Sequence, residues 1–269
     1  MYKIFTFNKN NEVLLAMLSD LPFDSFQEFD DTLDGYVLIN DLNDEMISGV
    51  DEISDMLDVT YSVQDIEEKN WNEEWESNFS SVEVDSFCRI RADFHERSDD
   101  FDFELTIHPK MAFGTGHHQT THMMIRAMKD ISFVGKTVLD YGCGTGILAI
   151  LAEKLGAVHC DAVDIELPSY ENTIENAATN ECHHIKSIHG TLDDVPNQAY
   201  DVILANINRN ILLDSVDGLA SRVHKDGILL LSGLLAQDEA VILSSYETNF
   251  KLIDKFQRDN WICLKMVKS

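Results

Sequence analysis

The chain predicts an α/β protein in two parts, a doubly wound, Rossmann-like sheet preceded by a small α+β module of ferredoxin-like order. Three observations predict it. Residues 138–146 read V-L-D-Y-G-C-G-T-G, an apolar strand that enters the apolar helix Ile147–Leu155 through three glycines. From about residue 119 onward, helix-like and strand-like segments alternate to the C-terminus. Ahead of both, residues 2–64 follow the order β-α-β-β-α-β.

In the front module, residues 2–7 read as a strand and residues 11–21 as an amphipathic helix. Phe23–Phe29 and Gly35–Ile39 read as strands joined by an acidic turn ending at Asp34-Gly35, a hairpin signal. Met46, Ile47, Val50, Ile53, Met56 and Leu57 recur at helical spacing over 43–57, and 59–64 alternate like an edge strand. This sets a ferredoxin-like domain at 1–65. A linker helix is expected over 66–80, where Trp71 and Trp75 share one helical face, as an interdomain staple or as a platform for a partner. The second domain spans 81–269. Residues 82–94 and 101–107 alternate like strands around the polar turn Glu96–Asp100, and a helix then runs to Ile131, with Thr120 and Thr121 at its start to cap it or to offer hydroxyls to a bound carboxylate. Asp226-Gly227 turns into the strand Ile228–Leu231. Phe250–Phe256 and Trp261–Val267 read as a hairpin closing the sheet edge.

Charge narrows the partners. The net charge is −28, and residues 1–105 hold 28 acidic against 6 basic side chains, compared with 20 against 14 in the rest. Such a surface repels phosphate backbones, so no direct nucleic-acid binding is expected. It either attracts a basic protein or keeps the chain soluble. The five cysteines include no C-x-x-C pair and suit a reducing compartment. Met1-Tyr-Lys-Ile opens no signal peptide, and no run reaches the length of a membrane span. A cytoplasmic, monomeric protein is expected.

The glycine loop carries the chemistry. A strand that meets a helix through glycines brings bare N–H groups and a helix N-terminus against a ligand. The spacing is G-x-G-x-G, and Ile147 stands where the dinucleotide fingerprint needs a small residue. The loop therefore fits a nucleoside without a pyrophosphate, S-adenosylmethionine foremost. The second strand, 159–165, ends on Asp164, 22 residues past Gly142, where a carboxylate can accept both ribose hydroxyls or cap the next helix. A third strand, Asp201–Ala205, ends on Asn206 at the ligand-binding edge of the sheet. His118 and His122 stand at i, i+4, but no glutamate follows His118 and no cysteine pair is near, so no metal is expected.

A-F-G-T-G-x-H-x-T-T (Ala112 to Thr121), G-K-T-V-L-D-Y-G-C-G-T-G (Gly135 to Gly146), V-D-I (Val163 to Ile165) and A-N-I (Ala205 to Ile207) resemble the bacterial ribosomal protein L11 methyltransferase family. The resemblance implies a class I methyltransferase domain that takes S-adenosylmethionine. Its partner would be a basic large-subunit ribosomal protein, free or on the ribosome, methylated on lysine ε-amines and the terminal α-amine. It further implies a substrate-recognising N-terminal domain on a movable linker, and cofactor contacts at Thr121, Gly142, Asp164 and Asn206. His108, Gln119, Asn208-Arg209-Asn210 and Glu166-Leu167-Pro168 depart from the family pattern and touch the shape of the acceptor pocket.

Transfer to an amine is an in-line displacement that needs alignment and desolvation, with no covalent intermediate. Asn206 is the expected catalytic residue, accepting an amine N–H so that the lone pair faces the methyl. The competing role is a cap on the following helix. Phe113 offers a π surface to a sulfonium or ammonium, or a core contact. The competing functions are methylation of another protein or a small amine, and nonenzymatic S-adenosylmethionine binding.

Overall fold

The computed structural model describes residues 2–65, 80–108 and 116–269, and the chain divides into two compact units, 1–79 and 80–269. The expected linker helix with Trp71 and Trp75 lies outside the described residues, as does Phe113.

The first unit runs β1 (Tyr2–Phe7), α1 (Glu12–Leu18), β2 (Ser25–Glu28), β3 (Leu33–Leu38), α2 (Asp44–Leu57) and β4 (Tyr61–Asp65). Its strands pair antiparallel in the order β2-β3-β1-β4, the ferredoxin-like arrangement. Asparagines start both helices: Asn11 Oδ1 accepts from Leu14 N and Asn43 Oδ1 from Met46 N, each at 2.9 Å. Phe5, Phe7, Leu14, Leu18, Val37, Met46 and Val50 are buried in one core between sheet and helices. The hairpin turn differs from expectation. Phe29 N donates to Thr32 O, so the chain reverses at Asp30-Asp31, and Asp34-Gly35 lie inside β3. Gly35 is there for room: a Cβ would stand 2.8 Å from the Phe23 ring.

The second unit opens with a small sheet, β5 (Val82–Val84), β6 (Cys88–Arg91) and β7 (Phe103–Thr106). The single strand expected over 82–94 is thus a hairpin, turned by Asp85 at φ 50°. A seven-stranded sheet follows: β8 (Thr137–Tyr141), β9 (His159–Asp164), β10 (Ile185–His189), β11 (Tyr200–Asn206), β12 (Val223–Leu235), β13 (Phe250–Arg258) and β14 (Trp261–Lys268). Its order is β10-β9-β8-β11-β12-β14-β13, parallel through β12, with β14 antiparallel to both neighbours. The strand order reverses between β8 and β11, and a crevice opens there beyond the carboxyl ends of the strands.

Helices α3 (Gln119–Met128), α4 (Ile147–Lys154) and α5 (Leu167–Thr179) share one core with the small sheet. The opposite face is covered by α6 (Arg209–Asp214), α7 (Val216–Arg222) and α8 (Glu239–Tyr246), through Leu212, Leu219, Ile242 and Tyr246. With both faces covered, the central strands are buried on both sides, and their sequences do not alternate apolar with polar. Among the described residues no helix is long and apolar enough to cross a membrane.

Candidate active site

The glycine loop leaves β8 at Tyr141 and reaches α4 in five residues. Gly142 sits at φ 74° and donates its N–H to Val163 O at 2.8 Å, which ties the loop to β9. A Cβ there would lie 2.1 Å from Ile207 Cγ2, so position 142 tolerates no side chain. Gly144 N donates to Asp164 Oδ2 at 2.9 Å, and Glu166 N donates to Oδ1 at 3.0 Å. Each carboxylate oxygen thus has one N–H partner and a lone pair left for a ligand hydroxyl. Asp164 does not cap the next helix; Glu166 occupies the N-cap position, without a side-chain bond.

Asn206 ends β11 beside this loop. Its Nδ2 donates to Thr121 Oγ1 at 3.3 Å, while its Oδ1 is buried with no partner. A buried amide oxygen left unpaired costs about 1–3 kcal/mol and marks a place where a donor is missing. The capping role is overturned: Asn208 caps α6, its Oδ1 accepting from Ile211 N at 3.1 Å. Thr120 and Thr121 do not cap α3 either. His118 does, its Nδ1 accepting from Thr120 N at 3.3 Å, and Thr121 is buried in the first turn against Asn206.

Two clefts meet at the Asn206–Asn208 segment. The larger, about 600 Å³, is lined by Tyr141, Gly142, Gly144, Asp164, Ile165, Glu166, Thr191, Asn206 and Ile207. That volume suits a nucleoside-sized ligand. Gly190 and Thr191 close its far end, where Asp194 Oδ2 accepts from Thr191 N at 2.8 Å and fixes the turn. The smaller cleft, about 330 Å³, is lined by His118, Thr120, Asn206, Ile207, Asn208, Gly233 and Trp261. The rings of His118 and Trp261 meet edge-on at 4.7 Å.

Ile207 forms part of both walls, wedged in by two glycines. Gly233 sits at φ 81° where β12 slips register against β14, and a Cβ there would stand 2.2 Å from Ile207 O. Gly233 and Trp261 were not among the sequence candidates. The signal available was a Ser-Gly break in an apolar strand, which points to a bulge or a close backbone approach.

Asp140, inside β8 below the loop, is also new. Its Oδ2 accepts from Ala149 N at 3.1 Å and its Oδ1 has no partner. Complete burial, with the Asp164 charge adding to it, pushes this carboxyl up to about 7. Burial likewise holds His122 below the usual imidazole range, with Arg258 and Arg126 adding to the effect. Among the described residues no group of three or more His, Cys, Asp or Glu is placed to hold a metal ion.

The model of the family described as ribosomal protein L11 methyltransferase (PrmA) matches residues 20–269. The chain belongs to that family. A ribosomal protein L11 methyltransferase of Porphyromonas gingivalis is 39% identical over 264 residues, covering 94% of this chain and 89% of the relative. One of Phocaeicola vulgatus is 35% identical, covering 96% and 93%. Among solved structures, the ribosomal protein L11 methylase of Lactobacillus delbrueckii subsp. bulgaricus is 31% identical with a TM-score of 0.64, over 71% of this chain and 99% of that one. The fold is that of the class I methyltransferases, and S-adenosylmethionine is the methyl donor. The larger cleft fits it: a glycine cradle that no Cβ could enter, and a strand-tip carboxylate with acceptor capacity for a ribose.

Proposed function

We propose that this chain methylates ribosomal protein L11 on lysine ε-amines and on its N-terminal α-amine, with the acceptor entering through the smaller cleft. The observation that carries this reading is the buried, unpartnered Oδ1 of Asn206 where the two clefts meet. When bound in the larger cleft, S-adenosylmethionine supplies a methyl on a positively charged sulfur. The protein's task is to bring a neutral amine to that methyl in line. A free lysine has a pKa of about 10.4, so holding it neutral at pH 7 costs about 4.6 kcal/mol. The walls made by Ile207 and Trp261 favour the uncharged form by excluding water. Asn206 Oδ1 accepts one amine N–H and turns the lone pair toward the cofactor side, while Thr121 fixes the amide from behind its other end. Asp164 holds the ribose, and Gly142 keeps the backbone close to the ligand.

The first unit is read as the substrate-recognition domain, residues 1–65, with 66–80 as linker and 81–269 as the transferase. Its acidic surface suits a basic ribosomal protein, free or on the ribosome, and disfavours direct contact with RNA phosphates. On this reading the enzyme works as a monomer in the cytoplasm, where a ribosomal substrate would be met.

Incubation of purified L11 with S-adenosylmethionine and the full chain, followed by peptide mass analysis, tests the reading. Methyl groups on lysine side chains and the N-terminus are expected, and label confined to other proteins or to metabolites would overturn it. A chain lacking residues 1–60 should bind the cofactor normally yet methylate L11 poorly; full-rate methylation would move recognition into the second unit.

A further inference from the structure

A third cleft continues from the smaller one. It measures about 440 Å³ and is lined by Asn208, Arg209, Asn210, Leu235, Gln237 and Asp238. Asn208 belongs to all three clefts, so they follow one another along the segment after β11.

The chemistry of this wall is unusual for so acidic a chain. Three of its side chains are carboxamides. The one cation, Arg209, has its charge met: Nη1 donates to Asp238 Oδ1 at 3.1 Å, and Nε and Nη2 donate to Asn210 Oδ1 at 3.2 and 3.1 Å. Asp238 is itself buried and accepts from Leu235 N at 3.0 Å through Oδ2. The guanidinium therefore clamps the start of α6 to the turn after β12, and the two walls of the cleft are held together before any ligand arrives. Asn208 and Asn210 use their oxygens internally, which leaves both Nδ2 groups as donors. Gln237 is exposed, and its amide has no partner among the described residues.

We infer that this cleft binds the main chain of the substrate beside the amine being methylated. The inference rests on the proposed protein-methylating activity. Amide side chains pair with peptide N–H and C=O groups of any sequence, whereas a charged wall would select particular side chains. A wall held rigid in advance loses little ordering entropy on binding. Such a wall would let one enzyme accept several amines in different sequence surroundings, provided the flanking chain can lie extended.

The test uses the full-length Gln237→Ala and Asn210→Ala variants with intact L11 as acceptor. Each lost hydrogen bond should raise KM for the protein about five-fold. Turnover at saturating L11 and the dissociation constant of S-adenosylmethionine should hold in both variants, and the melting temperature should hold in Gln237→Ala, whose side chain bonds nothing among the described residues. The rise in KM should persist at high salt, since no net charge is removed. An unchanged KM, or a rise that vanishes as salt is added, would overturn the main-chain role. A wild-type enzyme that leaves L11 unmethylated would instead defeat the functional reading on which the inference stands.

Discussion

The two clefts that meet at Asn206 are made by opposite means. The larger cleft, which fits the cofactor, is built on the bare backbone of Gly142 and Gly144 and on the tips of the strands beside β8, where a parallel sheet delivers them by default. The smaller cleft, proposed for the acceptor, is built from the side chains of His118, Thr120, 206–208 and Trp261 and the bare backbone of Gly233, brought together only by the packing of α3, β11, β12 and β14. The first is a property of the fold, and many ligands could share it. The second is a property of this sequence, and under the proposed reading it is where specificity would lie.

Asn206 belongs to both clefts, so its removal is the most severe break. Asn206→Ala should lower the single-turnover rate about 10²-fold at saturating S-adenosylmethionine, the cost of a small misplacement of reacting atoms. Because Asn208 does the capping, the melting temperature should barely move. A normal rate would remove Asn206 from the chemistry.

Asp164→Ala should act on the cofactor cleft alone. A charged hydrogen bond is worth about 1.5–3 kcal/mol, so calorimetry should show S-adenosylmethionine binding at least about ten-fold more weakly. KM for L11 at saturating cofactor should stay put. Unchanged cofactor affinity would shift the ribose contact elsewhere, with Glu166 the next candidate.

Asp140 sharpens the comparison through pH. Its carboxyl titrates near 7 in the folded chain, against an ordinary value of 3.8. Between about pH 4 and pH 7 the folded state therefore keeps a proton that the unfolded chain has lost. Stability from this group is full at low pH and falls as pH rises through that window. Asp140→Asn should remove the fall, so its gain over wild type should grow by on the order of 2 kcal/mol from pH 5 to pH 7. Parallel melting curves across that range, without cofactor, would contradict the assignment.

Salt gives the smallest effect. If the acidic first unit steers a basic partner, kcat/KM at limiting L11 should fall as salt rises past about 0.15 M, where the Debye length is about 8 Å. A flat profile would leave that charge a solubilising role only.

How far the sequence alone revealed the site follows the same division. The glycine loop, Asp164 and Asn206 were readable because each sits at the end of an apolar strand, a local pattern. The split β-α-β-β-α-β unit was readable from periodicity for the same reason. Its hairpin turn was misplaced because Asp34-Gly35 has the composition of a turn, while Gly35 in fact clears space for the ring of Phe23, in the loop before β2. Trp261 and Gly233 stayed hidden because their meaning lies in what packs against them, at Asn206–Ile207 and His118. His118 as a helix cap was also unreadable, since two threonines stood at the expected place and ring nitrogens rarely compete with hydroxyls there.

All five cysteines are buried, and burial raises the thiol pKa at each of them. Thiolate is the form that reacts with electrophiles, so the folded chain carries almost none of it at neutral pH. A single cysteine introduced on the surface, at exposed Asp30 or Gln237 for instance, would be the one fast-reacting thiol in the native protein. A spectroscopic probe could then be attached without first removing any native sulfur.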